Sequence, residues 1–122
     1  MDPLKVLLVD DEEDFVLTVE ERLRRRGICA EALTSGAAAL QRLERCDFDV
    51  VIVDVRMPGM DGFELLRRIK AICPMAQVIL LTGRRLLKES LAGIEQGAFD
   101  YLTKPIEIED LVTAINRATS RG

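Results

Sequence analysis

The chain has 122 residues, of which 48% are hydrophobic and 31% charged, with a net charge of −4; that length and apolar share suit one domain with a real core, spanning residues 1–122. It has no histidine, and its three cysteines (Cys29, Cys46 and Cys73) show no CxxC spacing, which excludes Cys/His zinc sites and Ser-His-Asp or Cys-His nucleophilic chemistry. No apolar run approaches the roughly 20 residues of a membrane span, and the acidic start Met1-Asp2-Pro3 is unlike a signal peptide, so a cytoplasmic protein with reduced thiols is expected.

The first element is a strand, "LKVLLV" (4–9), a short apolar and β-branched run. From Asp14 to Arg26, Phe15, Val16, Val19 and Leu23 fall on one helical face. Gly27 is placed to end that helix as a C′ residue. A weaker strand, "ICAEAL" (28–33), follows. Ser35 has the character of an N-cap for a helix through Leu40 and Leu43. "DVVIVDV" (49–55) is the strongest strand signal, apolar on both faces as the centre of a parallel sheet requires.

After a Pro-Gly turn, Leu65, Leu66, Ile69 and Ile72 mark a third helix that Pro74 terminates. "QVILLT" (77–82) reads as another buried strand, and Arg84 to Gln96 as a helix closed by Gly97. "FDYL" (99–102) is a short strand and Lys104-Pro105 a turn. From Glu107, residues Ile108, Leu111, Val112 and Ile115 complete a last amphipathic helix. Five β-α units in succession imply an α/β fold, a parallel sheet with helices on both faces. With right-handed crossovers the expected topology is a doubly wound sheet of order 2-1-3-4-5. In such sheets the site lies at the carboxyl ends of the strands, where the strand order reverses, here between strands 1 and 3.

Charge is uneven along the chain. Residues 1–61 carry 8 basic and 14 acidic side chains, residues 62–122 carry 9 and 7, so a uniformly basic nucleic-acid footprint is missing. The run "RLRRR" (22–26) reads as cations at a solvated helix C-terminus. Polar residues at the strand ends are more informative. Strand 1 ends in Asp10-Asp11, strand 3 in Asp54, strand 4 in Thr82, and strand 5 runs into Lys104. Carboxylates crowded at one sheet edge need cations; Lys104 is one, and Mg²⁺, which prefers oxygen ligands, is the other expected. Neither GxxxxGK[ST] nor GxGxxG occurs, which disfavours a nucleotide triphosphatase. A reactive aspartate beside Mg²⁺ and a lysine suits phosphoryl transfer to carboxylate. Glu12 and Glu13 read as helix-start charges, and Met57 and Met60 as turn packing.

The segments "VLLVDDE" (6–12), "DVVIVDVRMPGMDG" (49–62), "VILLTG" (78–83) and "GAFDYLTKP" (97–105) together resemble a receiver domain of the bacterial two-component response-regulator family. The resemblance spans the chain in the right order and implies a flavodoxin-like fold with five helices. It implies that Asp54 accepts a phosphoryl group from a sensor histidine kinase or a phosphotransfer protein. It further implies that Asp10, Asp11, Asp54 and the backbone carbonyl of Arg56 hold Mg²⁺. Thr82 and Lys104 would bind phosphoryl oxygens, Tyr101 would switch with Thr82, and a cis peptide would join Lys104 to Pro105. Such a domain acts on itself and is not otherwise an enzyme. It would signal through its helix 4–strand 5–helix 5 face, to an output domain or a second copy, without itself binding nucleic acid or membrane.

Two arginines near the expected site, Arg56 and Arg84, are placed to influence the lifetime of the phosphoryl group. Leu86 and Leu87 on the fourth helix are candidates for a partner surface. Two other readings compete. A Mg²⁺-dependent phosphohydrolase with an aspartyl nucleophile would need an acid/base group, commonly a second aspartate two residues on, where Arg56 stands. A receiver that binds partners without phosphorylation conflicts with the complete Asp10, Asp11, Asp54, Thr82 and Lys104 set. The tail "NRATSRG" (116–122) fits a frayed end or the start of a linker.

Overall fold

The structure, a computed structural model, describes residues 3–83 and 92–119. The elements are β1 (Lys5–Val9), α1 (Glu13–Arg25), β2 (Cys29–Leu33), α2 (Gly36–Arg45), β3 (Val50–Asp54), α3 (Gly62–Ile72) and β4 (Gln77–Thr82). The described end of a fourth helix, α4, covers residues 92–95. β5 (Asp100–Thr103) and α5 (Ile108–Ala118) complete the chain. The five strands are parallel, in the order β2-β1-β3-β4-β5. This is the expected doubly wound sheet, with element ends differing from the sequence reading by about a residue. Arg84, Leu86 and Leu87, and most of the expected helix Arg84–Gln96, lie outside the described residues.

Local signals account for the boundaries. Gly27 adopts φ +80°, a left-handed conformation that costs glycine little, and so turns the chain out of α1 into β2. The Ser35 side chain accepts a hydrogen bond from the Ala38 N–H at 3.1 Å, capping α2. Asp61 does the same for α3, accepting from the Glu64 N–H at 2.9 Å. Glu12 stands at the N-cap of α1 but makes no such cap bond.

The sheet is buried on both sides, and the period-2 alternation of its strands divides the core in two. Val6 and Leu8 of β1, Val50 and Ile52 of β3, and Ile79 and Leu81 of β4 pack with Val16 and Leu23 of α1 and with Leu111, Ala114 and Ile115 of α5. Leu7 and Val9, Val51 and Val53, and Val78 and Leu80 face the other way, onto Ala39 and Leu43 of α2 and Leu65, Leu66 and Ile69 of α3. Every side chain of β3 is buried, including that of Asp54. All three cysteines are free thiols. Among the described residues, no helix is long and apolar enough to cross a membrane.

Candidate functional site

The same alternation aims the acidic residues. Asp10 follows Val6 and Leu8 by even steps, and Asp54 follows Val50 and Ile52, so both belong to the face shared with α1 and α5. Register brings them side by side: Val9 pairs with Val53, and the next residues along are Asp10 and Asp54. Thr82 has the opposite parity. It follows Val78 and Leu80, which lie on the α2–α3 side, and Tyr101 pairs with Leu80 and packs on that side too. The sheet thus separates a carboxylate cluster on one face from a threonine and a tyrosine on the other, all at its carboxyl edge.

Asp10 is 1% exposed and Asp54 8%. Buried carboxylates are costly unless compensated, and Lys104, which follows β5, supplies the cation. Its Nζ lies 2.7 Å from Asp10 Oδ2, 2.9 Å from Glu12 Oε1 and 3.7 Å from Asp54 Oδ2. It also sits 4.6 Å from the centroid of the Phe15 ring, within reach of a cation–π attraction. Burial by itself would lower the Lys104 ammonium; attraction from Asp10, Glu12 and Asp54 instead holds it above the ordinary lysine value. The Lys104–Pro105 peptide is cis.

Asp54 behaves in the opposite sense. Burial first, and then repulsion from Asp10, push its carboxyl up to about 6; Lys104 and the Arg56 N–H pull it down, and Asp11 adds a smaller upward push. The Arg56 N–H donates to Asp54 Oδ1 at 3.2 Å. At neutral pH the group is therefore ionised, yet its oxygens are more basic than those of an ordinary aspartate, which favours nucleophilic attack.

One oxygen each of Asp10, Glu12 and Asp54 lie within 4.8 Å of one another, a grouping that could hold a metal ion. Neighbouring ligands of an octahedral cation with bonds of about 2.1 Å stand about 3 Å apart, so the three carboxylates would draw together to share one ion. Asp10 Oδ2 is buried and accepts no well-aligned hydrogen bond, although the Lys104 ammonium touches it. That buried hard oxygen, met only by the ammonium, suits a cation of the magnesium class.

Of the residues expected at the site, the structure gathers Asp10, Asp54 and Lys104. Asp11 is exposed and stands outside the metal-compatible group, though near enough to be felt by Asp54. Arg56 is exposed. Thr82 is buried at the end of β4, where its hydroxyl donates to the Gly83 carbonyl at 3.0 Å. Tyr101 is half-buried in β5. Glu12 stands at the start of α1, as expected, and has a further role there: its N–H donates to Asp10 Oδ1 at 2.9 Å, and its carboxylate turns to Lys104 without capping the helix. The position before a helix suggests capping, and only the approach of Lys104, 92 residues away, redirects the side chain.

α3 sits against the end of β3 because Gly62 has no side chain. A Cβ there would lie 2.6 Å from the Val55 Cα and 2.7 Å from the Asp54 carbonyl oxygen. The Gly62 N–H donates to the Val55 carbonyl at 2.9 Å, closing the turn behind Asp54.

Residues 6–116 match the response regulator receiver domain family. The chain belongs to that family. This receiver domain is 39% identical over 115 residues to the DNA-binding transcriptional regulator NtrC of Escherichia coli (strain K12), covering 94% of this chain and 24% of that protein. It therefore spans about a quarter of the NtrC length. The structure of a response regulator receiver domain protein from Clostridium thermocellum superposes with a TM-score of 0.91 at 38% identity, covering 97% of this chain and 95% of that one. A response regulator from Burkholderia pseudomallei, with a phosphorylated aspartic acid, a calcium ion and citrate, has a TM-score of 0.87 at 26% identity over 96% of this chain and 69% of its own. A receiver domain is a signalling domain, and the relatives of this one include transcriptional regulators.

Proposed function

We propose that residues 1–122 form one phosphorylation-dependent switch in which Asp54 accepts a phosphoryl group from the phosphohistidine of a sensor histidine kinase or a phosphotransfer protein. The observation that carries this reading is the buried, basic Asp54 carboxylate at the end of β3, with Lys104 Nζ 3.7 Å away. One Asp54 oxygen attacks phosphorus while the P–N bond to the donor imidazole breaks. The imidazole leaves with the bonding pair and takes up a proton. Lys104 meets the charge on the equatorial phosphoryl oxygens, and the Arg56 N–H holds the other Asp54 oxygen in place.

Asp10, Asp11, Asp54 and the Arg56 carbonyl are the proposed ligands of Mg²⁺, with Glu12 in the same cluster. When bound, that ion would neutralise charge on the attacking carboxylate and on the transferring phosphoryl group. The Burkholderia pseudomallei protein pairs a phosphorylated aspartate with a divalent cation, which supports the assignment by likeness.

Phosphorylation adds a charge of about −1.5 to −2. The Thr82 hydroxyl, which now donates to Gly83, turns to a phosphoryl oxygen, and Tyr101 on the same face of the sheet follows. The readout is the α4–β5–α5 face, offered to an output domain or a second copy in the cytoplasm. Incubation with MgCl₂ and acetyl phosphate, followed by intact-mass measurement, is expected to show a labile gain of one phosphoryl group. The gain should be absent in Asp54→Ala and in excess EDTA. A gain that persists in Asp54→Ala would overturn the assignment.

A further inference from the structure

We propose that Glu12 is a positioning residue that competes with the phosphoryl group for Lys104; the inference rests on the phosphoacceptor reading of Asp54. The lysine is held to one side. Its two tight contacts, Asp10 Oδ2 at 2.7 Å and Glu12 Oε1 at 2.9 Å, lie at the junction of β1 and α1. The Phe15 ring on the first turn of α1 attracts it the same way, at 4.6 Å. Asp54 Oδ2 is the most distant of its three carboxylate partners, at 3.7 Å.

An ammonium has three protons to donate. Two of them face Asp10 and Glu12, and moving the ammonium toward a phosphoryl oxygen on Asp54 draws it away from the β1–α1 junction and stretches those two contacts. Asp10 is buried and fixed beside β3, whereas the Glu12 side chain is 64% exposed and can leave into water. Glu12 is thus the partner that Lys104 exchanges. It caps no helix, and Lys104 is its one described ion-pair partner, though one of its oxygens also stands in the metal-compatible group. Its effect therefore falls on the availability of Lys104, not on stability. An exposed pair of this kind is worth a few-fold in an equilibrium.

The test is a double-mutant cycle. Initial rates of phosphorylation by excess acetyl phosphate with MgCl₂ are followed by intact mass for the native chain, Glu12→Gln, Lys104→Ala and the double variant. Glu12→Gln keeps the length of the side chain and removes its charge. With Lys104 present, it is expected to be phosphorylated about threefold faster than the native chain. In the Lys104→Ala background the same substitution should change nothing. Glu12→Gln should also melt within about 2 °C of the native chain, since an exposed pair contributes little to folding. Equal rates with Lys104 present would overturn the proposal. So would an equal acceleration in both backgrounds, which marks a general field effect on an anionic donor. A slower Glu12→Gln, the behaviour of a lost metal ligand, would also overturn it. If the native chain takes no phosphoryl group at Asp54, the phosphoacceptor reading fails and the inference with it. If the native chain is phosphorylated and Glu12→Gln matches it, the inference alone fails.

Discussion

Asp54→Asn is expected to melt on the order of 5–10 °C above the native chain at pH 7.5 in the presence of a chelator. Asparagine nearly matches aspartate in shape, so the packing at the end of β3 is kept and the charge is removed. That charge is unfavourable in the folded state. Burial and the neighbouring Asp10 raise the carboxyl from 3.8 to about 6, against the pull of Lys104. The side chain is only 11% exposed, so solvent screens it weakly. A shift of that size corresponds to about 2–3 kcal/mol, lost to the native chain wherever Asp54 is ionised.

The sign follows from proton binding. Between pH 3.8 and about 6 the folded chain holds a proton on Asp54 that the unfolded chain has already released. Native stability therefore falls as pH rises through that window and stays low above it. The advantage of Asp54→Asn should accordingly be full at pH 7.5 and shrink toward zero near pH 4. Melting curves of both proteins across that range check it. An equal or lower melting temperature for the variant at pH 7.5, or a gap independent of pH, would contradict the charge account. A stability cost concentrated on the one residue proposed to react is the trade expected at a functional site.

Gly62→Ala should act in the other direction, costing about 3 kcal/mol, the upper end for overpacking. The added methyl would meet the Val55 Cα at 2.6 Å and the Asp54 carbonyl at 2.7 Å. These are backbone atoms of the strand end and turn, so no side chain can swing aside. Either α3 retreats from the sheet or the Asp54 backbone shifts. A displacement approaching 1 Å at the reacting group should slow phosphorylation by about a hundredfold. Gly59→Ala is the control. Gly59 has φ +85° but open space around the position of a Cβ, so only backbone strain of about 1 kcal/mol is added. Melting temperature and acetyl-phosphate labelling of the two variants separate the effects. A Gly62→Ala protein as stable and as readily labelled as Gly59→Ala would show that the close approach of α3 to β3 is unimportant.

Much of this was legible in the chain because the signals are local and periodic. The apolar runs ending in Asp10, Asp54 and Thr82 mark the strands and their carboxyl ends, and Gly27 and Ser35 mark helix limits through backbone freedom and capping. Alternation of strand and helix leaves few topologies, and the observed order β2-β1-β3-β4-β5 is the one expected. From that order alone, Asp10, Asp54 and Lys104 meet at one edge. What the tertiary structure decided is how the charges divide. Asp11 and Glu12 are adjacent acids with the same local propensity, yet one carboxylate faces solvent and the other grips Lys104. Likewise, nothing local distinguishes Gly62 from other turn glycines until α3 comes to rest on the end of β3. Coulomb attraction and steric contact depend on distance in space, and for Glu12 and Lys104 that distance is set by a sheet that brings together residues 92 positions apart.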